Sequence, residues 1–233
     1  MGGLFGGEGR RAMTSLEESL HAQGRRVLRS LRSPALVQVF LDSIPYSADK
    51  FYRCPRRVIE DRKAHCFDGA LFAAAALRRL GFPALIVDMH AVRDDDHLIA
   101  VFRRSGCWGA VAKSNFVGLR YREPVYRSLR ELAMSYFEAF YNLAGEKTLR
   151  TSTRPIRLAR FDRLNWEAED EGLDVIARHT DRVPRIRLIT PAMARGLSRL
   201  DGRSFRAGLQ GVNPAGLYRG PMKRRGDRSE GDR

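Results

Sequence analysis

Apolar positions recur with helical spacing in some stretches and as short unbroken runs in others, and this contrast organises the chain. Leu16, Leu20, Val27, Leu28 and Leu31 keep a helical rhythm through Arg32, opened at Thr14-Ser15, with Ser15 and Glu18 spaced as a capping box. Ser33-Pro34 supplies a cap and a first-turn proline for a second helix carrying Leu36, Val37, Phe40 and Leu41, which Ile44-Pro45 ends. Residues 46–63 are mixed and charged, a loop or a short helix. From residue 66 to 80 almost every position is apolar between Ala70 and Leu77, so this helix should be buried on most sides, with Gly81 as its left-handed stop.

Three runs of strand length follow, at 84–89, 98–102 and 107–112, with Arg103-Arg104-Ser105-Gly106 as a hairpin turn between the last two. Helix followed by three strands predicts an α+β domain, its buried helix packed on an antiparallel sheet and flanked by other helices. Ser128 and Glu131 form a second capping box, and Leu129, Leu132, Ala133, Tyr136, Phe137, Phe140 and Tyr141 form a helical stripe expected to be core. Beyond Thr151 the pattern weakens to a strand at 156–161, a helix at 166–178, a strand at 185–189 and a last short helix capped by Thr190-Pro191. The expected organisation is a Gly-rich disordered segment at 1–13, one domain at 14–202 and a basic flexible tail at 203–233.

Composition narrows the function classes. With 233 residues, 43% of them hydrophobic, the chain supports one sizeable core. Its 42 Lys+Arg against 27 Asp+Glu give a net charge of +15, which suits an anionic partner such as nucleic acid or an acidic protein. Cys54, Cys66 and Cys107 are odd in number and irregularly spaced, which argues against a disulfide framework. The N-terminus lacks the apolar segment of a signal peptide, so a reduced, cytoplasmic protein away from the membrane is expected. No cofactor or metal is called for, since His65, Cys66, His97 and Cys107 match no closed zinc pattern. Cys54, Cys107 and His90 read as structural. Asp94-Asp95-Asp96 reads as a solvated turn, with a cation or a basic substrate as the alternative.

One constellation carries chemistry. Cys66 opens the buried helix, where unpaired N–H groups and the helix dipole favour thiolate over thiol. About thirty residues on, His97 opens a strand. If Ser105-Gly106 is a two-residue loop, Arg104 faces Cys107 and paired positions sum to 211, which sets His97 opposite Ser114; a three-residue loop shifts the partner to Lys113 or Asn115. A thiol–imidazole pair needs a third group to orient the ring. Asn115 is the best candidate by chemistry, Ser114 the second and an aspartate of the 94–96 run the third.

This order, with Cys66 on a helix start, His97 on a strand and Asn115 past the next strand, resembles the transglutaminase-like family of the papain-like cysteine-protease superfamily. The likeness covers residues 64–115 and extends, toward an uncharacterised bacterial branch, through Tyr141. Where that family places an acid after its Trp and apolar strand, Trp108-Gly-Ala-Val-Ala112-Lys113 has none. The resemblance implies a papain-like core and cysteine-dependent acyl chemistry, protease, amidase or transglutaminase in type, on an amide or ester of a protein or peptide substrate. Cys66 would be nucleophile, His97 base and Asn115 orienting group, with the Cys66 N–H helping to bind the oxyanion. The competing class is an inactive binding module docking RNA or an acidic protein through Arg56, Arg57, Arg103, Arg104, Arg120 and Arg122.

Overall fold

A seven-stranded, wholly antiparallel sheet carries helices on one face and a mixed layer of helix and loop on the other. The computed structural model describes residues 15–218; the expected disordered segment 1–13 and the last fifteen positions of the expected tail lie outside them. The elements in chain order are α1 (Ser15–Ser19), α2 (Ala22–Ser30), α3 (Pro34–Asp42), α4 (Pro55–Asp61), α5 (Cys66–Arg79), β1 (Leu85–Ala91), β2 (His97–Arg104), β3 (Cys107–Val111), β4 (Arg122–Tyr126), α6 (Leu129–Met134), β5 (Leu149–Thr153), β6 (Ile156–Arg157), α7 (Leu173–Arg182), β7 (Arg185–Arg187), α8 (Pro191–Arg195) and α9 (Gly202–Gly208). The strand order is β4-β3-β2-β1-β5-β7, with β6 also paired to β1. No helix among the described residues is long and apolar enough to cross a membrane.

The central strands are unbroken apolar runs because both faces are covered. Ile86, Leu98, Ala100, Phe102 and Val111 pack with α5 and the N-terminal helices, while Val87, Met89, Ile99, Val101 and Ala110 pack with α6 and the loops around it. In α5 every residue from Phe67 to Leu77 is buried. Ser105 and Gly106 both take positive φ, 50° and 82°, the two-residue turn that matches strand twist.

Several expectations need correction. The helix foreseen over 15–32 breaks at Leu20-His21, where Leu20 folds back onto Gly24; a Cβ on Gly24 would stand 2.8 Å from Leu20 Cδ2. The Ser15 side chain, half of the proposed capping box, lies outside the described residues. The long helix foreseen after Ser128 stops at Met134 and resumes as a 3₁₀ turn at Phe137–Ala139. Arg122 is the reason. Its Nη2 donates to the Ser135 carbonyl at 3.1 Å and its Nε to Ser135 Oγ at 2.9 Å, removing the acceptor that a continuing helix would use. The stripe is nonetheless core, with Leu132, Ala133, Tyr136, Phe137, Phe140 and Tyr141 all buried. β4 and β5 were not foreseen, and α7 starts later than the helix read at 166–178. Of the expected tail, the described residues 203–218 include most of α9, and Asn213 beyond it is bonded to Asn115 and to the Tyr46 carbonyl.

Candidate functional site

Cys66 is the first residue of α5, and His65 is its cap. Nδ1 of His65 accepts from the Phe67 and Asp68 amides at 3.1 and 3.4 Å, and Asp68 Oδ2 accepts from the His65 N–H at 3.2 Å. Asp68 is fully buried and also takes the Arg53 N–H at 2.8 Å; burial raises its carboxyl to about 7. Burial, with the Arg53 charge beside it, lowers His65 to about 4.

That shift gives a testable pH dependence. A histidine whose folded value lies below its ordinary 6.5 leaves the unfolded chain binding more protons, so stability is lost as pH falls from about 6.5 toward about 4. Asparagine caps equally well without titrating. His65→Asn is therefore expected to gain about 2 kcal/mol relative to the parent protein between pH 7 and pH 5. Urea unfolding at both pH values measures the gap, and a gap that does not move with pH would refute this account of His65.

The thiol faces backbone. Cys66 Sγ lies 4.0 Å from the Asp96 carbonyl, and burial pushes it up to about 12, while the Leu98 amide and the Tyr46 hydroxyl pull the other way. This direction is opposite to that of the low-pKa thiolate expected at a helix start. A helix end is worth about 0.3–1 kcal/mol, whereas a rise of this size corresponds to about 4 kcal/mol, so burial wins.

His97 opens β2 opposite Met89 of β1. Alternation along the strand sends its neighbour Leu98 toward α5 and the His97 ring to the other face, edge-on to Phe140 at a centroid distance of 6.3 Å. Nε2 lies 2.8 Å from the Leu119 carbonyl, and since a carbonyl only accepts, Nε2 carries the proton and Nδ1 is the basic nitrogen. Burial holds the ring neutral, its value lowered to about 4. Among the described residues no hydrogen bond joins Cys66 to His97. The two meet at a cavity of about 40 Å³, lined also by Tyr46, Ser114, Asn115 and Gly216.

The hairpin register holds from Arg104↔Cys107 to Ala100↔Val111 and then fails. Gln38 of α3 accepts from the Ala112 N–H and donates to its carbonyl, both at 3.0 Å, and so draws the chain off β2. Lys113 follows, its Nζ donating to the Leu41 and Ile44 carbonyls at 2.8 and 2.5 Å. Ser114 therefore does not face His97 across a ladder, and its Oγ accepts from the Phe116 N–H at 3.0 Å. Asn115 does not reach the ring either. Its Nδ2 donates to the Asn213 and Gly216 carbonyls at 2.9 and 3.1 Å, and its Oδ1 accepts from the Asn213 N–H at 2.8 Å. Asn213 Nδ2 in turn reaches the Tyr46 carbonyl at 2.9 Å. Residues 213–218 thus form a strap beside the cavity, and Gly216 and Tyr218 line it together with Cys66 and His97.

Sequence reasoning missed the strap, Tyr46 and the Leu119 carbonyl. The aspartates also correct their reading as a solvated turn: Asp94 Oδ2 accepts from Thr148 Oγ1 at 2.8 Å, and Asp96 binds His90 and the Ala91 N–H. The arginines named as a docking face are engaged within the chain. Arg57 pairs with Asp170 at 2.6 Å and Arg120 with Asp42 at 3.0 Å, Arg103 and Arg104 stack on Trp108 and Phe82, and Arg56 donates to the Ala168 carbonyl. Cys54 is buried with its thiol raised to about 12, and Cys107 opens β3.

No family model matches the sequence, and no curated protein matches it. Among solved structures, an EGTA-treated Legionella pneumophila LapG aligns at 17% identity and a TM-score of 0.32, covering 42% of this chain and 66% of that one. A second Legionella pneumophila LapG structure aligns at 16% identity and a TM-score of 0.33, covering 44% of this chain and 72% of the other.

Proposed function

We propose that the chain is a thiol-dependent acyl-transfer enzyme of the papain-like, transglutaminase-like kind, acting on an amide or ester of a protein or peptide. What carries the reading is the state of His97: a neutral ring with its Nε2–H fixed by the Leu119 carbonyl and its basic Nδ1 left for a proton, at the same cavity as the first-turn thiol of α5. A backbone carbonyl here does what a side-chain Asn or Asp does in a triad. Cys66 Sγ attacks the substrate carbonyl as its proton passes to Nδ1 of His97, and the imidazolium then returns that proton to the departing amine or alkoxide. The Phe67 and Asp68 amides are committed to His65, so the Cys66 N–H is the helix-start donor for the oxyanion. Water or an amine next attacks the thioester and releases Cys66.

In the closed state burial raises the thiol and lowers the imidazole, so both shifts favour the neutral thiol–imidazole pair over the charged one. Chemistry therefore begins when substrate replaces the strap and water or a polar carbonyl reaches the thiol. The test is incubation with p-nitrophenyl acetate at pH 7.5 followed by mass spectrometry of the quenched protein. An acetyl adduct on Cys66, absent in Cys66→Ala and retained in Cys54→Ala and Cys107→Ala, is expected, with His97→Ala slowing its formation by about 10²-fold or more.

A second reading, a binding module that keeps the fold without turnover, is favoured by the missing thiol–imidazole hydrogen bond. It predicts no adduct on Cys66 even with an acyl donor in large excess, together with a salt-sensitive shift of labelled RNA or of an acidic protein.

A further inference from the structure

Behind the thiol, on the α5 side of β1, lies a second cluster that the proposed chemistry does not use. Asp88 and His90, two residues apart on β1, share one side of the sheet, and Asp96 closes over them from the turn before β2. Asp88 and His90 are each 2% exposed. Asp96 Oδ2 stands 2.6 Å from His90 Nδ1, and its Oδ1 accepts from the Ala91 N–H at 2.8 Å, so the carboxylate is locked in place. An ionised carboxylate only accepts, which puts the imidazole proton on Nδ1 and the lone pair on Nε2.

Nε2 is the unexplained atom. It lies 3.1 Å from Asp88 Oδ2 without hydrogen-bond alignment, and both Nε2 and Asp88 Oδ1 are buried with no hydrogen-bond partner among the described residues. Two lone-pair atoms held at that distance repel each other unless a proton or a metal cation lies between them. A separation of 3.1 Å is also what two ligands show when each sits about 2.0–2.1 Å from one ion. One donor atom from each of Asp88, His90 and Asp96 falls within a 4.8 Å cluster. The nearby cation is Arg185, whose charge acts on both aspartates, and Asp181 adds a further negative charge. Among the described residues the cluster thus holds more carboxylate than Arg185 neutralises.

We infer that Asp88, His90 and Asp96 form a site for one divalent cation of the zinc or manganese class, bound directly by His90 Nε2 and the Asp88 carboxylate. Asp96 is the positioning residue. It holds the imidazole through Nδ1–H in the carboxylate–histidine–metal arrangement, in which loss of the outer carboxylate costs about 10–100-fold in affinity. The imidazole donor selects against calcium and magnesium, which prefer all-oxygen shells.

The inference stands apart from the acyl chemistry, and its test reads binding alone. Zinc chloride and, separately, manganese chloride are titrated into the full-length Cys66→Ser protein at pH 7.5 by calorimetry, with thermal unfolding in parallel. One zinc per chain and a metal-dependent rise in Tm are expected, with affinity reduced at least about tenfold in His90→Gln and Asp96→Asn and calcium far weaker. If His90→Gln fails to fold, Asp96→Asn, which keeps the side-chain shape, carries the comparison. Absence of zinc and manganese binding would overturn the site and identify the cluster as an imidazolium bridging two carboxylates. Binding unchanged in these variants, or preferential binding of calcium, would overturn it as well.

Discussion

Asn115→Ala is expected to raise the rate of Cys66 alkylation by iodoacetamide about 10²-fold. The substitution deletes three hydrogen bonds in one step, two from Nδ2 to the Asn213 and Gly216 carbonyls and one from the Asn213 N–H to Oδ1. At about 1 kcal/mol each, they hold the strap closed by about 3 kcal/mol relative to the open state. A half-buried thiol that a strap covers reacts through its open population, so the loss appears directly as rate. Gly216→Val is the companion variant: a Cβ there would stand 2.8 and 2.9 Å from the Tyr46 ring, which pushes the strap off from the other side. The readout is the pseudo-first-order rate of Cys66 labelling at pH 8, with Cys54, in the core, as internal control. If Asn115 instead oriented His97, its removal would leave labelling unchanged and only slow acyl transfer; an unchanged labelling rate would therefore sink the strap assignment.

The pattern of apolar residues was enough to locate α3, α5, the three central strands and the hairpin turn, because each is dictated by neighbours in sequence. Caps and turn residues at Ser33, Gly81, Ser105-Gly106 and Thr190 did the same for boundaries. What failed was set from far away. The β2–β3 register was right for five pairs and was then overridden by Gln38, 74 positions upstream, which satisfies both backbone groups of Ala112. A helix that its own residues favour was stopped by Arg122. β4, Arg-Glu-Pro-Val-Tyr, is an edge strand whose polar alternation and proline leave no apolar run to notice.

The site was legible in part for the same reason. Cys66 and His97 announce themselves by residue type and local element, and the structure brings both to one cavity. The orienting group was sought among side chains, whereas the hydrogen-bond partner of the ring is a backbone carbonyl, that of Leu119. Residues 213–218, rich in Asn, Pro and Gly, carry the composition of a loose tail; only their bonds to Asn115 and Tyr46, about 100 and 170 positions away, order them. A helix terminus, which favours thiolate, is visible in sequence, whereas the surroundings that raise the Cys66 thiol are not.

At Gly69 the cysteine helix closely approaches the displaced chain after β3, and substitution here is expected to have the largest effect on stability. A Cβ at this position would lie 2.2 Å from Lys113 Cβ and 3.4 Å from Lys113 Cα. Lys113 has nowhere to go: it is buried, and its ammonium is tied to the ends of α3 by the Leu41 and Ile44 carbonyls. Alanine gains about 0.5–1 kcal/mol over glycine in a helix interior, while overpacking a filled core costs about 1–3 kcal/mol, so the clash outweighs the propensity and Gly69→Ala destabilises. Gly69→Val adds a branched side chain and is expected to cost about 3 kcal/mol or more, a fall in Tm of about 6–12 °C for a domain of this size. Thermal and urea unfolding measure both variants, and an alanine variant as stable as the parent would show that no close approach exists here. In a Lys113→Gly background the cost of Gly69→Ala should shrink, because the opposing Cβ is gone. The same displacement lifts Asn115, two residues beyond Lys113, away from the strap, so Gly69→Ala should also speed Cys66 labelling in any variant that stays folded. The small residue that lets two backbones meet thereby sets both the stability of the core and the closure of the site.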